Sequence, residues 1–287
     1  MEIEWRGGNV RVIDQRAPWG RGSLDYVVVH SKLDDIYGNV GSNAATNQKL
    51  YERAKKYKDF AAALDVILRC LSQQKLDGLK ELRRYSKDPL LFVYPQVLDP
   101  SRGSNAIPSV LCQLLADKIG GEVCYEINQV TTQKRTGLSR LARFVCQPKF
   151  NGSVVSGRRY VLVDDVITSG ASFVALRSHI VRNGGVVGGI TALAHVTGKN
   201  QKLPISPWSV RQLKVKFGEG IAEYWGSTFG HRLELMTEQD ARYLLHKWSP
   251  TAVGVEDGRD LLECLRKEIN DIGTAIAFLN DKSRLKT

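Results

Sequence analysis

The chain has 287 residues, with 41 Lys plus Arg against 30 Asp plus Glu, a formal net charge of +11. Hydrophobic residues make up 43% and charged residues 25%, which gives enough apolar side chain for a core and excludes an overall disordered chain. The positive excess points to an anionic partner, and nucleic acid, a phosphorylated small molecule or an anionic surface would each satisfy it.

No uncharged apolar run approaches the ~18–20 residues of a membrane helix, so no membrane role is expected. The first residues, Met1 to Trp5, are acidic and lack the basic-then-apolar order of a secretory signal. The five cysteines are odd in number and widely spaced, with no CxxC pair. That excludes a zinc ribbon or finger and predicts small buried apolar side chains in a reducing cytoplasm.

In chain order, residues 1–25 read as irregular and Tyr26 to Val29 as a short buried strand. Lys32 to Asn47 is rich in Gly, Asn and Asp and reads as a long loop. Asp59 to Gln74 has helical spacing, with Phe60, Leu64, Ile67, Leu68 and Leu71 as its apolar face. Leu90 to Tyr94 is a buried strand between prolines. Pro108 can open a helix with Val110, Leu111, Leu114, Leu115 and Ile119 on one face, stopped by Gly120 and Gly121. Strands are predicted at Glu122–Ile127, Tyr160–Val163 and Val186–Val196, and a helix at Phe173–Arg182. This alternation argues for a mostly parallel α/β sheet flanked by helices. After Gly198 it fades. Pro204, Pro207 and Trp208 mark a linker or edge segment, Thr237 caps a helix to about Trp248, and Gly258–Leu279 reads as a long amphipathic helix packed on the chain's own body. The expected divisions are an N-terminal hood or irregular region at 1–85, a core at 86–198 and a largely helical C-terminal extension at 199–287.

The chemistry concentrates in Arg159-Tyr-Val-Leu-Val-Asp-Asp-Val-Ile-Thr-Ser-Gly-Ala-Ser172. It is a strand, two adjacent carboxylates, a small hydroxyl-rich turn and a helix start. Ligands of open α/β sheets bind beyond the carboxyl ends of the strands. The turn Thr168, Ser169, Gly170, Ala171, Ser172 can bring backbone N–H groups to a phosphate, and the following helix offers the same anion its positive end. Asp164 and Asp165 suit vicinal sugar hydroxyls, either directly or through a divalent cation. Together these features specify a ribose 5-phosphate group.

This segment resembles the PRPP-binding motif of type I phosphoribosyltransferases almost position by position. The resemblance implies that Asp164 and Asp165 meet the ribose hydroxyls, that Ile167 to Ser172, with Val166 before them, wrap the 5-phosphate, and that Mg²⁺ accompanies the pyrophosphate, with Asp164 and Asp165 as metal residues. Upstream, Arg102-Gly103-Ser104-Asn105 and Thr132-Gln-Lys-Arg135-Thr-Gly-Leu138-Ser139 with Arg143 and Cys146 are similar to a ComF-like subgroup. Ser104, Arg135 and Cys146 depart from that pattern, and the subgroup's N-terminal zinc-binding cysteines are missing. Arg102 and Gly103 are expected at the pyrophosphate, and Arg135 in a mobile lid over the site. The implied fold is phosphoribosyltransferase-like, and the implied reaction is phosphoribosyl transfer with pyrophosphate release.

Residues 127–163 hold seven basic residues and no acid. Such a stretch suits a polyanionic leaving group or a nucleic-acid backbone. His195, at a strand end, is a weaker candidate for ligand contact, and His179 reads as packed or exposed. The alternative to an enzyme is an altered phosphoribosyltransferase-fold regulator or effector. It would be bound to nucleic acid or a protein partner through basic surfaces and C-terminal helices, as in bacterial phage-defence (retron-type) complexes. A homo-oligomer stays open.

Overall fold

The fold is described from a computed structural model, which describes residues 3–6, 9–12, 16–20, 25–37, 44–97, 105–130, 137–248 and 258–284. The chain opens with β1 (Ile3–Arg6) and β2 (Asn9–Val12), then β3 (Tyr26–Lys32). Next come α1 (Leu33–Tyr37), α2 (Ala44–Lys56), α3 (Phe60–Cys70), α4 (Gln73–Lys80) and a 3-10 turn at Glu81–Tyr85. The alternating stretch is β4 (Leu90–Val93), α5 (Ile107–Ile119), β5 (Gly121–Val123), β6 (Asn128–Gln129), α6 (Arg140–Val145), β7 (Phe150–Asn151), β8 (Arg159–Val166), α7 (Ala171–Arg182) and β9 (Val186–His195). β10 (Gln201–Lys202), α8 (Pro207–Phe217), α9 (Gly220–Phe229), α10 (Glu238–Lys247) and α11 (Gly258–Arg284) complete it.

The chain divides into two compact units. One comprises Trp19–Val130 and Phe150–Leu203, the other Met1–Pro18, Thr131–Lys149 and Pro204–Thr287.

The first unit is built on a six-stranded sheet of order β10-β3-β9-β8-β4-β5. Only the β10 edge pairs antiparallel; the other neighbours are parallel. β8 is central and reads as a buried strand, because alternate side chains feed two cores. Val161 and Val163 face a core shared with α2, α3 and α5, while Tyr160 and Leu162 face one shared with α7. From β4 the chain crosses through α5 outward to β5, and from β8 it crosses through α7 the other way to β9. The strand order therefore reverses between β4 and β8. A crevice beyond the carboxyl ends at such a point is where open α/β sheets hold ligands.

Two sequence expectations are corrected here. The segment Lys32–Asn47 is not a long loop, since it contains α1 and the start of α2. The apolar face of α3 is also different. Phe60, Leu64 and Leu68 are exposed, and Ala62, Ala63, Val66, Ile67 and Cys70 are buried. Close packing of α3 on α2 and α5 selects the small alanines for the contact.

The second unit is helical. Val10 and Val12 of β2 join Phe144, Phe217, Trp225, Phe229, Leu261, Leu265 and Ile269 in one core. The Trp225 and Phe229 rings lie 4.1 Å apart, with Phe144 edge-on to Trp225 at 5.5 Å. Thr237 caps α10 by accepting from the Asp240 amide, as expected. Within the predicted linker or edge segment, Pro204 makes an isolated antiparallel bridge with Thr237, and Pro207 is the first turn of α8, capped by Ser206. No helix among the described residues is long and apolar enough to cross a membrane. No disulfide joins any of the five cysteines, and Cys70, Cys112, Cys124 and Cys146 are buried.

Candidate functional site

β8 delivers Asp164 and Asp165 to the carboxyl edge of the sheet, and Val166 ends the strand. Successive side chains of a strand point to opposite faces. Asp165 continues the row of Val161 and Val163, and so turns toward the α2 and α5 side. It is 8% exposed. Its Oδ1 accepts from the Val166 amide at 2.8 Å, and its Oδ2 accepts from Asn105 Nδ2 at 2.7 Å. Asn105 stands just before α5, and its Oδ1 accepts from the Ile107 amide at 3.1 Å. One side chain thus ties the helix start to the second acid.

The ammonium of Lys55, on α2, forms an ion pair with Asp165 Oδ2 at 3.7 Å. Lys55 also donates to the Tyr51 hydroxyl at 2.5 Å and lies 5.0 Å from the centre of that ring. Tyr51 in turn meets Tyr37 edge-on, with centroids 4.8 Å apart. Burial, then the Asp165 charge, pushes the Tyr51 phenol up, so it stays neutral. Asp164 accepts from the Asp165 amide at 2.9 Å. Burial first, and the neighbouring Asp165 charge second, raise the Asp164 carboxyl well above the usual range.

The turn after the acid pair has the expected form. Ile167 is buried and its amide donates to the Ala194 carbonyl of β9 at 3.0 Å. Thr168 is exposed, while Ser169 is buried and accepts from the Ala171 amide at 3.4 Å. Gly170 sits at φ +79°, in the left-handed region, and a Cβ there would collide with the Leu203 side chain. Only glycine fits without strain. It gives α7 no side-chain cap, and α7 begins with Ala171 and Ser172 at the same edge as the acids.

His195 ends β9 beside this turn and is buried. Its Nδ1 accepts from the Thr197 amide at 3.2 Å, which places the neutral ring's proton on Nε2. Burial lowers its pKa, favouring that neutral form. His179 lies away from the edge, with Nε2 3.0 Å from the Gly152 carbonyl.

The expected contacts of Arg102, Gly103 and Arg135 lie outside the described residues. Arg158 and Arg159 are at the amino end of β8, the opposite end from the acids, and Arg158 donates to the Pro89 carbonyl at 2.8 Å. Arg140 begins α6 and is held by Asp240 at 3.6 Å and the Gln239 carbonyl at 2.6 Å. Outside the basic stretch of residues 127–163, Lys214 pairs with Glu219 at 3.2 Å, and Lys216 donates to the Leu245 carbonyl.

The sequence reading missed Lys55 and Tyr51, and quoted Asn105 without a role. A cavity of about 430 Å³, lined by Tyr26, Lys75, Leu82, Gly189 and Asn200 among others, opens on the amino halves of β3 and β9, away from the acids. No set of three metal-ligating side chains is grouped among the described residues. A divalent cation on both carboxylates does not fit the residues present. The Asp165 oxygens take an amide N–H and a side-chain N–H, with an ammonium 3.7 Å from Oδ2. A cation at ~2.1 Å from Oδ2 would crowd that ammonium.

No family model matches the chain. It is 30% identical over 262 residues to Protein TraN of Escherichia coli, covering 91% of this chain and 54% of that protein. It is 29% identical over 167 residues to an uncharacterized protein of Haemophilus influenzae, covering 58% of this chain and 34% of that one. The chain thus spans about half the length of the first relative and a third of the second. Among solved structures, it is similar to adenine phosphoribosyltransferase from Leishmania donovani at 16% identity and TM-score 0.28, over 49% of this chain and 59% of that one. For the Rhodothermus marinus adenine phosphoribosyltransferase the values are 14% and 0.28, over 53% and 99%. For a Staphylococcus aureus hypoxanthine phosphoribosyltransferase they are 13% and 0.26, over 41% and 56%.

Proposed function

We propose that the carboxyl edge of β8 is a phosphoribosyl-binding site, taking PRPP or a nucleotide, in a phosphoribosyltransferase-like protein of the cytoplasm. One observation carries this reading. An acid pair, a turn that admits only glycine at Gly170, and a helix N-terminus follow one another at the point where the strand order reverses. Asp164 and Asp165 suit the two ribose hydroxyls, and the amides of the 168–172 turn, with the end of α7, suit the 5-phosphate. The reading extends to phosphoribosyl transfer. The bond from ribose C1 to pyrophosphate breaks, pyrophosphate leaves with the electron pair, and a nitrogen nucleophile bonds to C1. The chain's part is to fix the ribose and keep its phosphate in place. Magnesium enters this proposal only on the ligand's own pyrophosphate.

A second reading is a module that holds a nucleotide without turning it over, docked to nucleic acid or a protein partner, for example in a phage-defence complex. The neutralisation of Asp165 by Lys55 favours it. Calorimetry with PRPP, ribose 5-phosphate and a nucleoside 5′-monophosphate, on the protein and on Asp164→Asn/Asp165→Asn, tests the binding reading. Pyrophosphate release from PRPP with a nucleobase then separates transfer from binding alone.

A further inference from the structure

We propose that Lys55 is the resident cation of the acid pair, so that the site holds a nucleoside 5′-monophosphate or ribose 5-phosphate without a divalent metal on Asp164 or Asp165. This deepens the phosphoribosyl reading above and rests on it for the ligand, but the position of the cation is a separate matter of geometry.

The Lys55 ammonium is fixed from behind and aimed forward. α2 carries Tyr51 one turn before it, and the Tyr51 hydroxyl accepts from Lys55 at 2.5 Å. The ammonium therefore sits beyond the ring edge at the hydroxyl, 5.0 Å from the ring centre. Tyr51 is buried and braced by Tyr37. The forward partner is Asp165 Oδ2, at 3.7 Å. Asn105 donates to that same oxygen at 2.7 Å from the other side, and the Ala106 amide donates to the Ala54 carbonyl at 2.9 Å, which joins the two supporting segments next to the clamp. The second acid is therefore held by two N–H donors, from the α5 entry and its own strand, with the Lys55 ammonium of α2 as its ion-pair partner.

A hard divalent cation needs several oxygen ligands at close range. Here one carboxylate already takes two N–H donors, and a positive charge stands 3.7 Å from its Oδ2. Lys55 gives the acid pair the positive charge that a metal would otherwise bring, as a single charge with directed donors. Such a site suits a ligand with a vicinal diol and one phosphate. It does not itself recruit a metal–pyrophosphate group through the acids.

The test uses the full chain and two probes. The first is Mn²⁺ alone, followed by its paramagnetic resonance signal. The protein is expected to show no Mn²⁺ binding that Asp165→Asn abolishes, up to millimolar metal. Lys55→Met is expected to gain it at least tenfold, and Lys55→Arg to behave as the parent. Mn²⁺ binding in the parent that disappears in Asp165→Asn, or no gain in Lys55→Met, would overturn the proposal. The second probe is AMP in calorimetry, with EDTA or with Mg²⁺. Equal affinity within twofold in the parent, and an affinity in Lys55→Met that falls about tenfold in EDTA and recovers with Mg²⁺, support it. Binding that requires Mg²⁺ in the parent overturns it. If AMP, ribose 5-phosphate and PRPP all fail to bind, the phosphoribosyl reading falls, while the Mn²⁺ series still decides the role of Lys55. Thermal melts of each variant report folding, and Lys55, at the helix surface with its side chain 35% exposed, leaves no core cavity when replaced.

Discussion

Asn105 Nδ2 donates to Asp165 Oδ2 at 2.7 Å, although the two residues lie 60 positions apart. The contact joins the entry of α5 to the end of β8, and so spans the two strands between which the sheet order reverses. The same side chain closes a turn onto the Ile107 amide. Asn105→Ala removes both bonds and leaves a nearly buried carboxylate short of a donor. A hydrogen bond to a charged group contributes about 1.5–3 kcal/mol, and a loss in that range is expected in urea denaturation. Ligand affinity at the acid pair should fall with it, because the carboxylate loses its fixed orientation.

Gly170 is the backbone constraint of the proposed phosphate turn. Its φ of +79° is left-handed, and a Cβ there meets the Leu203 side chain. Gly170→Ala should cost about 1–2 kcal/mol for the backbone conformation alone, and more for the collision. Adding Leu203→Ala relieves the collision but not the backbone term. The double variant should therefore keep the weakened phosphate binding of Gly170→Ala, measured by calorimetry with ribose 5-phosphate.

His30 makes the sheet unit sensitive to acid. It is 7% exposed on β3, with Nε2 3.2 Å from Thr191 Oγ1. Burial is the main cause that pulls its pKa down to about 4 from 6.5. The folded state thus binds fewer protons than the unfolded state between those two values. Stability is complete above about pH 6.5 and is lost progressively toward pH 4, by about 2 kcal/mol at pH 5. Urea midpoints at pH 7.5 and pH 5 should differ clearly in the parent. The difference should shrink in His30→Gln, which cannot take up that proton.

Trp225 anchors the helical unit, in contact with Phe229 and Phe144. It is 2% exposed. Trp225→Ala should cost about 3–5 kcal/mol in that unit, read as an earlier loss of near-UV circular dichroism. Every described residue of the proposed ligand site lies in the other unit. Calorimetry on the folded variant should therefore return ligand affinity close to the parent's.

The legible part of the site was the part that is local in sequence. Asp164, Asp165, the 168–172 turn and the start of α7 are consecutive, so strand, turn and helix signals reinforce one another. Lys55 was illegible for two reasons. The start of α2 lies in a polar stretch rich in Asn that reads as loop, and the Lys55–Asp165 pair spans 110 positions, which no local pattern encodes. The α3 face went wrong for a related reason. Phe60, Leu64 and Leu68 mark a stripe by hydropathy, but the packed face is chosen by how closely α2 and α5 approach, and that favours Ala62 and Ala63. The membership of residues 1–18 in the helical unit was likewise invisible, because it depends on contacts such as the Val10 amide with Asn270 Oδ1 at 3.0 Å, 260 positions away.

The most direct test of the central claim is titration calorimetry of the full chain with ribose 5-phosphate and with a nucleoside 5′-monophosphate, beside Asp164→Asn/Asp165→Asn. Saturable one-site binding in the parent, weakened at least tenfold in the double variant while its thermal melt stays cooperative, is the expected result. Binding of equal strength in the parent and in the folded double variant, or none in the parent, would contradict a phosphoribosyl site at the end of β8.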